Sequence, residues 1–192
     1  MTSINFTGVI LAGGASRRMG TDKAALRASN GDALLTVIKN RLQEAGAAKI
    51  VILGRPHEKG GLADKQPFAG PVRAISDYLD EQTTGSQHLV VPVDMPNLST
   101  PLLRALVRSN TWANFASQHM PFFAVSDSSI PSDIKRIGDL LSYKEALTIP
   151  VPQGSEQAFL NLNHPSDFSN WRTNYQLPTD SIPFTQGAQH HV

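Results

Sequence analysis

The chain has 192 residues, with 17 Lys and Arg against 16 Asp and Glu for a formal net charge of +1, and no cysteine. That length suits one domain with a sizeable core, and so balanced a charge points to neither nucleic acid nor a membrane surface as partner. The lack of cysteine excludes a disulfide framework, a thiolate metal site and a cysteine nucleophile.

The first residues, MTSINFTGVILAGG, carry no basic leader, and their apolar run stops at Gly13, well short of the ~20 apolar residues a membrane span needs. The expected location is the cytoplasm. Residues 6–12 (FTGVILA) read as a strand buried on both faces. Residues 33–45 read as a helix, with Leu34, Val37, Ile38 and Leu42 at helical spacing and Gly46 as its stop. A second strand follows at 49–53 (KIVIL), then a helix at 71–79 with proline in its first turn. A third strand spans 88–93 (HLVVPV), interrupted by Pro92 near its end. Residues 100–109 form a helix with Ser99 or Thr100 as N-cap and Pro101 at the first helical position.

Further on, short strands are expected at 114–116 and 122–125, a helix at 132–141 (SDIKRIGDLL), strands at 147–151 and 158–162, and a last helix at 166–175. Residues 176–192 read as a flexible tail. Alternating strands and helices predict an α/β fold: a Rossmann-like, three-layer α/β/α domain with a mostly parallel central sheet. In such sheets ligands bind beyond the carboxyl ends of the strands, so chemistry is sought after Leu11, Leu53, Val93 and Leu162.

Three of those places carry conspicuous sequence. The first is LAGGASRRMGTDKAAL, residues 11–26. Gly13 and Gly14 let the backbone approach a ligand and gather N–H groups into a nest for phosphate oxygens, while Arg17, Arg18 and Lys23 add cations. The spacing fits neither the dinucleotide G-x-G-x-x-G nor a Walker A loop. The plainer alternative is a solvated basic turn. The second is VPVDMP, residues 91–96, which sets Asp94 just past a buried strand. Such a carboxylate suits Mg²⁺, which takes one or two carboxylates plus phosphate oxygens and water. Asp94 as a cap for the next helix is the alternative, although Ser99 and Thr100 already offer that cap. The third is FLNLNHP, residues 159–165, where strand alternation would place Phe159, Asn161 and Asn163 on one face. Two amides there could orient phosphate, metal-bound water or a polar ring; equally, Asn163-His164-Pro165 could be a turn and helix start.

LAGG-x-S-x-RMG-x-DK, PVDMP and NLNHP together resemble the molybdenum cofactor guanylyltransferase family, within the glycine-loop nucleotidyltransferases of nucleotide-diphospho-sugar-transferase-like fold. The resemblance runs from about Thr7 to Trp171, and AGPVRAI at 69–75 is similar to the family's G-P-x-x-G segment. Asp22 before Lys23, where cytidylyltransferases usually have proline, tilts it toward the guanylyl branch.

The resemblance implies a Mg²⁺-dependent enzyme that transfers GMP from GTP to the molybdenum-molybdopterin cofactor and releases pyrophosphate. It implies nucleotide contacts from Leu11, Ala12, Gly13, Gly14, Arg17 and Asp64, phosphate handling by Lys23 and Arg18, and Mg²⁺ on Asp94. Asn161, Asn163 and Arg136 fall on the pterin side, so that residues 1–175 make one domain with a nucleotide-binding N-terminal half and a pterin-binding C-terminal half. Partners would be these substrates, with transient contacts to cofactor-biosynthesis proteins and molybdoenzymes, in a monomer or weak oligomer. Cytidylyl transfer, transfer to a sugar phosphate, and a non-catalytic nucleotide- or cofactor-binding role are the alternatives. The chain departs from the family pattern at Leu53-Gly54-Arg55, where asparagine can occur, at Arg73 or Ala74 in place of a glycine, and at Met120-Pro121, which leaves His119 a surface residue.

Overall fold

The structure, a computed structural model, describes residues 4–13 and 22–174. Its sheet is built from β1 (Thr7–Leu11), β2 (Lys49–Leu53), β3 (Gly61–Leu62), β4 (Gln87–Pro92), β5 (Ala113–Phe115), β6 (Phe122–Val125) and β7 (Leu147–Ile149). The helices are α1 (Leu34–Ala45), α2 (Pro71–Leu79), α3 (Thr100–Ser109), α4 (Ile137–Tyr143) and α5 (Pro165–Asn174). Strand order is β3-β2-β1-β4-β6-β5-β7. β1 pairs in parallel with β2 and β4, β2 with β3, and β5 with β7; β6 alone runs antiparallel to both its neighbours, β4 and β5.

Strand alternation divides the core into two layers. Ile10, Ile52, Leu89 and Val91 pack with Leu34, Ile38 and Leu42 of α1, Leu102 and Leu106 of α3, and Trp171 of α5. Their neighbours Val9, Val51 and Val90 point to the other face, against Val72 and Ile75 of α2 and Leu140 and Leu141 of α4. Both faces of the central strands are thus buried, which is why they read as continuous apolar runs. Gly46 ends α1 in the left-handed region (φ 105°), where a side chain would be strained. Among the described residues no helix is long and apolar enough to cross a membrane.

Several expectations need correction. Residues 158–162 are not a strand: Glu156–Phe159 form a 3₁₀ turn, and the chain then runs extended outside the sheet. Its tie is Leu162 N–H to the Asp94 carbonyl at 2.9 Å, in the turn beyond the last residue of β4. The helix expected at 132–141 begins only at Ile137, because Arg136 keeps an extended backbone and the anchoring side chains, Leu140 and Leu141, lie beyond it. Ser99 holds the N-cap position of α3, yet its hydroxyl caps nothing, and the Thr100 hydroxyl donates instead to Glu44 at 2.9 Å. β3 went unread, since two residues show no periodicity. The tail expected at 176–192 lies outside the described residues.

Far from the carboxyl edge, buried His88 in β4 sits between the Tyr78 hydroxyl (3.1 Å to Nδ1) and Ser126 Oγ (3.0 Å to Nε2). Burial pushes the His88 imidazole down from 6.5 to about 4 and the Tyr78 phenol up to about 12, so both are neutral at pH 7. Between pH 6.5 and 4 the unfolded imidazole binds a proton that the folded one refuses, so stability present at pH 7 is lost as the pH falls through that window. Acidification from pH 7 to 5 is expected to cost up to about 2 kcal/mol from this group, read as a lower urea midpoint. A His88→Gln variant, which cannot titrate, should lose that part of the slope.

Candidate functional site

The carboxyl ends of β1, β2 and β4 lie side by side, and the chain leaves each through a turn that carries polar groups. After β1 and β2 the two backbones nearly touch. A Cβ on Gly54 would lie 2.3 Å from the Gly13 Cα, and one on Gly13 would lie 3.0 Å from Asp64 Oδ2. Gly54 also has φ 80°, so this close approach requires glycine twice over. The edge opens into a cleft of about 900 Å³ whose lining includes Leu11, Gly13, Lys23, Asp64, Phe68 and Asp94.

Lys23 is the convergence point. Its ammonium donates to Asp94 Oδ2 at 2.8 Å and to Asn163 Oδ1 at 3.0 Å, residues 71 and 140 positions away. Asp22 places it, accepting from the Ala24 amide at 3.1 Å and so capping the 3₁₀ turn Lys23–Ala25. Arg55, just past β2, holds Asp22 in turn: both terminal guanidinium nitrogens donate to its carboxylate, while Nε donates to the Ala12 carbonyl at 3.1 Å. The Arg55 guanidinium keeps the Asp22 carboxyl below the usual carboxylate range. Asn163 is anchored from behind, because Asp167 accepts from the amides of Asn163 (3.0 Å) and His164 (2.7 Å) at the start of α5. Asn163 is thus both a helix-start residue and a ligand of Lys23.

Asp64 lines the same cleft, against Gly13 and Gly54. Burial, with the Asp77 carboxylate nearby, pushes its carboxyl above the usual range. Among the described residues nothing donates a hydrogen bond to its side chain.

Leu11, Ala12, Gly13, Lys23, Asp64 and Asp94 therefore all line one cleft. Asn161 is exposed, since the strand that would have set it beside Asn163 does not form. Arg136 is exposed at the start of α4 and outside the lining, although its neighbour Ile137 is part of it. Gly14, Arg17 and Arg18 lie outside the described residues. His119 is exposed, whereas Met120 faces the cleft. Among the described residues no three His, Asp or Glu gather into a metal-binding group. Asp94 lines the cleft with its carboxylate on the Lys23 ammonium. Arg55 escaped notice as a site residue, although its position after β2 is where a parallel sheet places its ligands.

An ammonium held on the lining of a cleft suits an anionic substrate. Residues 8–129 match the family model of the MobA-like NTP transferase domain. The chain belongs to that family. As a MobA-like protein it is a nucleotidyltransferase. It is 31% identical over 176 residues to a molybdenum cofactor guanylyltransferase of Xanthomonas euvesicatoria, a match covering 85% of this chain and 93% of that protein. Its fold is shared with a nucleotidyl transferase from a Methanothermobacter species (TM-score 0.69, 15% identity, covering 89% of this chain and 97% of that one). It is shared too with molybdopterin-guanine dinucleotide biosynthesis protein A of Archaeoglobus fulgidus (TM-score 0.66, 18% identity, covering 88% and 97%).

If Arg55 acts on Lys23 through Asp22, Arg55→Ala and Asp22→Ala should each weaken nucleoside triphosphate binding, and the double variant should be little worse than either. A double-mutant cycle by titration calorimetry is expected to give a coupling of about 0.5–3 kcal/mol. Strict additivity would break the link.

Proposed function

We propose that this enzyme transfers GMP from GTP to the molybdenum-molybdopterin cofactor in a Mg²⁺-dependent reaction that releases pyrophosphate. The observation that carries the reading is the meeting of Lys23, Asp94 and Asn163 beside the Gly13 backbone. The name of the Xanthomonas relative supports the choice of substrates. An oxygen of the acceptor's phosphate monoester attacks the α-phosphorus of GTP in line, the bond to the β-phosphate breaks, and pyrophosphate leaves. The monoester is largely ionised at neutral pH, so no general base is needed.

What the chain must supply is position and neutralisation of charge. Lys23 exchanges its contacts with Asp94 and Asn163 for phosphate oxygens, and the amides beyond β1 cradle the same group. Arg17, Arg18 and Gly14 belong to that loop and add to its grip. Mg²⁺, when bound, neutralises charge on the phosphate oxygens, and Asp94 is the residue that would hold it. Leu11, Ala12 and Asp64 address the nucleoside, and Asn161, Asn163 and Arg136 address the pterin. On this reading residues 1–175 work as one domain, as a cytoplasmic monomer or weak oligomer that passes its product to cofactor-handling proteins and molybdoenzymes.

Lys23→Ala is expected to lower kcat/KM at least about 100-fold, the scale of removing one charge-stabilising donor. Pyrophosphate release in a coupled assay reads it, and near-normal turnover would remove Lys23 from the mechanism. Asp94→Asn should abolish the Mg²⁺-dependent rate. In a thermal-shift panel of the four nucleoside triphosphates with Mg²⁺, GTP should raise Tm most; a larger shift with CTP would make the enzyme a cytidylyltransferase.

A further inference from the structure

Phe68 is the most exposed large hydrophobic residue among those described, at 82%. It lies between β3 and α2 on the rim of the cleft. The Ala69 amide donates to the Gln66 carbonyl at 3.2 Å, closing a four-residue turn with Pro67 and Phe68 at its centre. Proline suits the first central position of such a turn, but Phe68 has φ 66° at the second, where glycine or asparagine is the usual occupant. A bulky side chain in the left-handed region clashes with its own backbone, and a phenyl ring in water gains nothing from burial. On both counts Phe68 is unfavourable to folding. Strain of this kind concentrates where a ligand makes use of it.

Lys23 and Asp94 meet where the turn before Ala24 reaches the exit of β4, whereas Phe68 lies in the loop between β3 and α2, and β2 and β1 stand between β3 and β4 in the sheet. A nucleoside triphosphate has the matching form, with a flat apolar ring at one end and charge at the other. The extended segment that brings Asn163 to Lys23 attaches to the turn after β4 and lies apart from the loop that carries Phe68 in the chain.

We propose that Phe68 is the stacking platform for the purine ring of the bound nucleoside triphosphate. This rests on the reading of the cleft as a nucleotidyltransferase site. Stacking grips any base by its face, because every base has a π-surface, and leaves the choice between bases to groups at the ring's edge. Phe68 therefore sets affinity, and Asp64 and the backbone of residues 11–13 are left to set specificity.

Titration calorimetry with GTP and with inorganic tripolyphosphate, on wild type and on Phe68→Gly, tests this. Glycine is at home at this φ, so the urea midpoint should be unchanged or higher. GTP affinity should fall about 5- to 150-fold, while tripolyphosphate affinity stays at the wild-type value. Phe68→Tyr should retain GTP binding, and Phe68→Asn, also suited to this backbone, should behave as the glycine variant does. Wild-type GTP affinity in both ring-less variants would overturn the proposal. So would an equal loss of tripolyphosphate, or a defect confined to the KM for molybdopterin, which would assign the ring to the second substrate. Failure of the wild type itself to bind any nucleoside triphosphate would bring down the functional reading, and the role of Phe68 with it, without reference to the variants.

Discussion

A single ammonium group ties the site together. Lys23 Nζ is shared between Asp94 and Asn163, and through them it joins the turn after β1, the turn after β4 and the segment leading into α5. Lys23 and Asp94 side chains are only 16% and 20% exposed, so salt screens the pair less than it would an exposed one. A charge so placed cannot be left without a partner at small cost. An incoming triphosphate must therefore offer Lys23 at least what Asp94 and Asn163 already provide.

The second constraint is steric and lies in the backbone. Gly13 and Gly54 bring the exits of β1 and β2 closer than any side chain would permit, and Asp64 fills the space against them. Parallel pairing of β1 with β2 and β4 lines up the three exits at one edge, so the polar turns share a cleft instead of facing opposite ends of the molecule. Arg55 then stiffens that edge by holding the Ala12 carbonyl and the Asp22 carboxylate at once. A bidentate guanidinium fixes direction as well as distance, which a lysine at this position could not do.

Elsewhere polar groups are buried for the sake of the fold. His88, between Tyr78 and Ser126, has both ring nitrogens satisfied and sits away from the carboxyl edge, so its displaced titration belongs to packing and not to catalysis. The contrast with Asp64 is instructive. Both groups are shifted mainly by burial, but only Asp64 faces a cleft and lacks a hydrogen-bonding partner among the described residues.

By itself the sequence determined what local physics controls: the apolar runs of β1, β2 and β4, the helical spacing of α1, α2 and α3, and the glycine-rich exit from β1 with Lys23 behind it. Buried parallel strands and amphipathic helices write their periods directly into the chain, so the α/β class was legible there, as was the carboxyl edge as the place to seek a site, with Lys23 and Asp94 among its candidates. Tertiary structure alone decided the antiparallel course of β6, the two-residue β3, and the fate of NLNHP, which runs outside the sheet and ties to the turn after β4. It separated Asn163, which reaches Lys23, from Asn161, which does not, and it turned Arg55 from a departure in the motif into a brace across the loop. Those outcomes depend on contacts between segments distant in the chain, and hydrophobic period and residue type do not encode such contacts until the chain has folded around them.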